Sequence, residues 1–181
     1  MLHCGTKPIE TPRLLLRSFE VGDGESMLDN WIADPGIQFE YGEPVYRTLE
    51  EVSVLLAQWI AQYKEPDFYR WAIIEKETAV CIGQIAFCRV YSEEKIAEIE
   101  YCIGRSRWGR GYANEALSAL IGFAFEHTGL EMLEAFHREE NRKSGRVLEK
   151  SQMRVTDTIQ RFRIAGIRPE GEVCYCIAKN K

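Results

Sequence analysis

Between Glu98 and Gly104 the chain alternates: Ile99, Tyr101 and Ile103 point one way and Glu98, Glu100 and Cys102 the other, the period of a strand. After a short loop, apolar residues recur at Ala113, Ala116, Leu117, Leu120, Ile121 and Ala124, the spacing of a helix with one apolar face. Upstream, Arg13–Phe19 reads as a strand. Asp23–Ile32 reads as a helix with Met27, Leu28, Trp31 and Ile32 on one side, stopped by Pro35-Gly36. Gln38–Arg47 has no period and is assigned to loop. Thr48 and Glu51 form a capping box for a helix whose stripe is Val52, Leu55, Leu56, Trp59, Ile60 and Tyr63, ended by Pro66-Asp67. Phe68–Glu75 and Ala79–Val90 read as antiparallel strands, and Met132–His137 as another strand. A helix runs from Asn141 to about Lys150, and Met153–Ile164 with Val173–Ala178 forms a closing hairpin. The order is that of an α+β sandwich with a mixed sheet.

The length, 181 residues, suits one domain spanning 1–181, and 45% hydrophobic with 28% charged residues is ordinary for a globular chain. A net charge of −5 disfavours direct nucleic-acid binding and mildly favours basic, amine-bearing substrates. Six cysteines without a C-x-x-C pair read as free thiols in a reducing cytoplasm. His3, His127 and His137 lack metal-ligand spacing with them, so no metal site is expected. The N-terminus has no secretory h-region, and no apolar run is long enough to span a bilayer.

Chemistry concentrates where the central strand meets the helix after it. Strand, glycine loop and helix N-terminus together form an anion site, because the first helical amides lack intrahelical acceptors and glycine lets the backbone approach. A bare glycine pair before a helix is more often an ordinary tight connection. Here the order Trp108-Gly109-Arg110-Gly111-Tyr112-Ala113 resembles the acetyl-CoA loop of GNAT N-acetyltransferases, Q/R-x-x-G-x-G/A, departing from it at Trp108. Gly111-Tyr112-Ala113-Asn114-Glu115-Ala116-Leu117 is similar to the G-Y-A-x-E-A-L run of the ribosomal-protein N-terminal acetyltransferase branch (RimJ/RimL-like). Asn141-Arg142-Lys143-Ser144 with Val147-Leu148-Glu149-Lys150 resembles that branch's N-x-x-S…v-L-e-k segment, and Thr11–Arg17 its T-x-R-L-x-L-R opening. The resemblance covers nearly the whole chain. It implies a GNAT-like, mostly antiparallel mixed sheet with helices on both faces, and acetyl-CoA as co-substrate.

By that resemblance the backbone of Gly109, Gly111, Tyr112, Ala113 and Asn114, flanked by Trp108 and Arg110, holds the pyrophosphate. The end of the central strand, above all Ile103, pairs with the pantetheine arm. Asn141 contacts the same arm; its other reading is a helix N-cap. Glu98 and Glu100 share one strand face, where crowding and burial raise a carboxylate's pKa and suit a general base. The alternative is two solvated glutamates on an exposed face. Glu98 matches the a-E-I-G-Y pattern of the branch, and Glu100 replaces its glycine. Ser144 is the candidate proton donor to the leaving thiolate, since the tyrosine many relatives use is replaced by Leu148; Tyr175 ranks behind it. Ser151-Gln152-Met153 stands where the family has L-G-F or L-G-M, which places the turn beside the acceptor cleft in question. The leading expectation is acetyl transfer to a primary amine, a protein N-terminal α-amine such as that of a ribosomal protein, by a monomer or homodimer. A small-molecule amine and a non-catalytic acyl-CoA-binding module are the alternatives.

Overall fold

A computed structural model describes residues 2–180. A short hairpin, β1 (Ile9–Glu10) and β2 (Leu14–Arg17), precedes a helical passage that starts as a tight turn at Val21–Asp23. The passage continues as α1 (Gly24–Met27), then widens into a π-helical stretch over Leu28–Ile32. Two helices follow, α2 (Pro35–Tyr41) and α3 (Leu49–Gln62). Strands β3 (Arg70–Glu75), β4 (Val80–Tyr91) and β5 (Ile96–Ile103) lead into α4 (Tyr112–His127). The rest is β6 (Met132–Arg138), α5 (Arg142–Lys150), β7 (Arg154–Thr156), α6 (Gln160–Ala165) and β8 (Glu172–Ala178).

The strands form one sheet in the order β1-β2-β3-β4-β5-β6-β8-β7. Every neighbouring pair is antiparallel except β5 and β6, whose parallel pairing requires the crossover that α4 supplies. Alternation along the strands feeds two cores. Leu14, Leu16, Trp71, Ile73, Ile99 and Ile103 face α4 and α5, whereas Ala72, Ile74, Cys81 and Cys102 face α1–α3. On the first side Leu117 and Leu120 of α4 are completely buried, each contributing about 1.5–3 kcal/mol relative to exposure. On the second side α6 continues the helical layer, packing Phe162 on Phe136 of β6.

Two expectations need correction. The helical passage ends at Ile32 as expected, but a second helix begins at Pro35 and runs through residues 38–41 of the stretch assigned to loop: Asp34 caps it, accepting from the N–H groups of Gly36 and Ile37, and Pro35 occupies the first turn, where its missing N–H costs nothing. The closing hairpin is real only as β7 paired with β8, and residues 160–165 are helical instead. Ile159 and Phe162, three apart, are buried beneath that turn, which a strand would have placed on opposite faces. The capping box at Thr48 and Glu51 is present as expected.

The turn after α5 keeps its shape without the family's glycine. Gln152 adopts φ 66°, its N–H donates to Glu149 O, and Met153 N–H donates to Leu148 O. This is a Schellman ending, closed by burial of Leu148 and Met153 in the same core.

Candidate active site

The loop into α4 is a set of backbone donors held open. Gly109 and Gly111 have φ of 76° and 82°, a left-handed conformation costly for any side chain. The first bond of the helix runs from Glu115 N–H to Gly111 O, and no side chain among the described residues caps the turn. The N–H groups of Tyr112, Ala113 and Asn114 therefore lack intrahelical acceptors, and in front of Gly109 there is open space. These features fit the pyrophosphate of a bound CoA.

Side chains of the same residues build the loop. The Tyr112 hydroxyl donates to Glu75 Oε1 at 2.7 Å, and Arg107 and Thr78 donate to Glu75 Oε2. Burial alone would raise the Glu75 pKa; the hydrogen bonds from Thr78, Tyr112 and Arg107 outweigh it and hold the carboxyl below its usual range. Asn114 Nδ2 donates to Ser151 Oγ at 2.7 Å, tying α4 to the end of α5. Arg110 is exposed, and its carbonyl accepts from Arg13 Nη1 at 2.9 Å. Trp108 is part-exposed, its indole N–H donating to Ile103 O at 2.6 Å, with Arg105 and Lys143 against its ring. Glu75 and Arg107 carried no local sequence signal, because their meeting with Tyr112 is tertiary.

Beside the loop the sheet opens. Strands β5 and β6 are paired at Ile96↔Met132, Ala97↔Leu133 and Glu98↔Glu134 only; beyond that β5 stays with β4 and β6 with β8. Gly104 N–H donates to Ile82 O and the Glu98 carbonyl accepts from the Cys88 thiol of β4, so even-numbered backbone groups of β5 turn toward β4. The odd-numbered ones turn toward the gap. The N–H and C=O of Tyr101 and the N–H of Ile103 thus line an unpaired edge able to bond an amide-bearing arm, whereas the carbonyl of Ile103 is already taken by Trp108. Across the gap, Asn141 caps α5 by accepting from Ser144 N–H, and the Ser144 carbonyl accepts from the Tyr101 hydroxyl at 3.2 Å.

On the opposite face of β5 the two glutamates part company. Glu98 is 2% exposed and lies at 3.3 Å from Arg161 of α6 and 3.8 Å from Arg89, and the Cys88 thiol donates to its Oε1. Its Oε2 has no hydrogen-bond partner among the described residues. Burial pushes its pKa up, partly offset by Arg161, Cys88 and Arg89. Glu100 accepts at Oε1 from the Tyr41 hydroxyl and from Arg70 Nη2, each at 2.8 Å. Arg70 in turn stacks on Trp59 and donates to Gln84 Oε1. Burial, then the Glu100 charge, raises the Tyr41 pKa, so the phenol remains a donor. Neither glutamate is a solvated surface group. Trp31, Tyr41, Tyr46 and Trp59, with Arg70 and Gln84, line a recess of about 70 Å3 on this face. Tyr41, Arg70 and Arg161 come from α2, β3 and α6, distances along the chain that no local pattern spans.

A loop of free amides, an unpaired strand edge and buried carboxylates behind it form an arrangement able to hold a CoA thioester and manage the proton of an amine. Comparison with known proteins gives the family. The family described as acetyltransferase (GNAT) domain matches residues 13–154. The uncharacterized N-acetyltransferase YoaA of Bacillus subtilis (strain 168) is 27% identical over 171 residues, covering 94% of this chain and 96% of that one. The crystal structure of a GNAT-family acetyltransferase from Bacillus anthracis has a TM-score of 0.76 at 26% identity, covering 95% of this chain and 98% of its own. A putative ribosomal-protein-serine acetyltransferase from Vibrio cholerae shares the fold, with a TM-score of 0.80 at 22% identity and coverage of 97% and 99%. With a family match over most of its length, the chain belongs to the GNAT family of acetyltransferases, enzymes whose acetyl donor is acetyl-CoA.

Proposed function

We propose that this acetyltransferase modifies the α-amino group of a protein N-terminus whose first residue is small. The observation that carries the reading is the recess behind β5, about 70 Å3 in volume, walled by aromatic rings and bordered by the Glu100–Tyr41–Arg70 network. A recess of this size takes a side chain such as that of serine or alanine. Two proteins of the same fold are described as a putative ribosomal-protein-serine acetyltransferase and a ribosomal-protein-S5-alanine acetyltransferase, which supports the same class of acceptor. The small volume also favours a second reading, a compact amine outside any protein.

In this account the N–H groups of Tyr112, Ala113 and Asn114, between Gly109, Gly111 and Arg110, bind the CoA pyrophosphate. The β5 edge at Tyr101 and Ile103 aligns the arm, with Trp108 and Asn141 at its sides. Glu98, with its raised pKa, takes the proton that the acceptor ammonium must lose before it can attack. Glu100 fixes Tyr41 and Arg70 at the recess. Ser144 stands on the α5 wall, where the sulfur departs.

Mass spectrometry of a panel incubated with enzyme and acetyl-CoA tests the reading. Peptides beginning with serine or alanine should gain one acetyl group on the α-amine, while N-terminally blocked peptides with internal lysines should not. Acetylation confined to small-molecule amines such as short polyamines would replace this reading with the second.

A further inference from the structure

We infer that the Tyr101 hydroxyl is the hydrogen-bond donor to the departing CoA sulfur. The inference rests on the arm lying along β5 and not on which amine is acetylated. Tyr101 sits at the middle of the unpaired edge, so its N–H and C=O face the gap between β5 and β6. Its side chain lies on the α4–α5 side, and its hydroxyl crosses to the first turn of α5, reaching the Ser144 carbonyl. One residue therefore offers backbone groups to the arm and a hydroxyl across the passage.

The hydroxyl is free to change partners at little cost. At 3.2 Å its bond to the Ser144 carbonyl is longer than the usual 2.7–2.8 Å for such a pair, and a thiolate is the stronger acceptor. Burial pushes the phenol pKa up, keeping the proton on oxygen. Ser144 acts here through its backbone: its N–H donates to Asn141 and its carbonyl receives Tyr101. When the C–S bond breaks, its electron pair stays on sulfur. Tyr101 stabilises that charge by a hydrogen bond and retains its own proton. The amine's proton leaves by way of Glu98, and the thiolate is finally protonated by solvent, so charge and atoms balance.

The test reads the bound product and needs no acceptor. CoA is bound to the wild type, Tyr101→Phe and Ser144→Ala, and its thiol is titrated by ultraviolet thiolate absorbance. A donor at sulfur lowers the bound thiol's pKa below that of free CoA titrated in the same buffer. Tyr101→Phe should return it to the free-CoA value or above while the protein stays folded and still binds CoA at neutral pH, whereas Ser144→Ala should leave it lowered. Turnover in Tyr101→Phe should fall about 10-fold or more, the effect of one hydrogen bond to a charged group. A fluorinated tyrosine at position 101, a stronger donor of the same shape, should lower the bound pKa further. A bound thiol that titrates in Tyr101→Phe as in the wild type, or a shift that follows Ser144→Ala instead, would overturn the assignment.

Discussion

Glu115 joins the turn between β1 and β2 to the first turn of α4, and removing its carboxylate has a calculable cost. It accepts from the Thr11 hydroxyl at 2.6 Å, from Arg13 N–H at 2.9 Å and from Arg13 Nε at 2.7 Å. Arg13 then reaches Arg110 O and lies over the Tyr112 ring, so the turn between β1 and β2 is clamped to the first turn of α4. Bonds to a charged group contribute about 1.5–3 kcal/mol each when buried. The Arg13 side chain is 48% exposed, and solvent reduces its share to that of a surface ion pair. Glu115→Ala should therefore destabilise by about 2–3 kcal/mol, a fall in melting temperature of roughly 5–10 °C for a chain of this size. Acid titration adds a second signature. Burial would raise the Glu115 pKa, but the bonds from Thr11 and Arg13 win and lower it. Its contribution is therefore complete above the unfolded carboxylate pKa and is lost as pH falls through the lower folded value. Melts of Glu115→Gln should accordingly be flatter than wild type across that acid range. A melting temperature for Glu115→Ala within about 1 °C of wild type would refute the clamp.

Glu98→Gln should reduce turnover by about 10²–10⁴-fold while leaving CoA affinity intact. A base works only when deprotonated, so the wild-type rate should rise with pH through a limb above the ordinary glutamate range, and the variant should lose that limb; a variant with near-normal turnover at neutral pH would remove Glu98 from the role. Gln152→Gly should stabilise by about 0.5–1 kcal/mol, since a side chain at φ 66° carries a left-handed penalty only partly offset by glycine's unfolded entropy. A melting temperature raised by roughly 2–3 °C is the expected reading, and an unchanged or lower one would contradict the strain.

The sequence motifs were legible where they record contacts within one stretch. The loop Gly109–Ala113, the Asn141 cap and the alternation of β5 all concern neighbours along the chain. Thr11, Arg13 and Glu115 were visible as parts of two family motifs, and the structure shows one physical reason for both: they bond each other. Other features were hidden for equally physical reasons. The signals for α2, Asp34 before it and Gly42 after it at φ 75°, were present, but Pro35-Gly36 reads equally well as a stop. Residues 153–164 read as a strand until Ile159 and Phe162 are seen buried on one side. The partners of Glu98 and Glu100 could not be read, because Arg161, Arg70 and Tyr41 reach them from other elements. Tyr101 was legible as a strand residue on the same side as Ile99 and Ile103, yet its hydroxyl's reach to α5 depends on where β5 and β6 separate.

That separation is the centre of the account, and amide hydrogen exchange with and without CoA tests it most directly. Binding should slow exchange at Tyr112, Ala113 and Asn114, the free amides of the α4 turn, and at Tyr101 and Ile103, whose N–H groups face the gap. Even-numbered amides of β5, already bonded to β4, should change little. Protection absent from Tyr101 and Ile103, with CoA bound and another strand edge protected instead, would contradict the placement of the arm along β5.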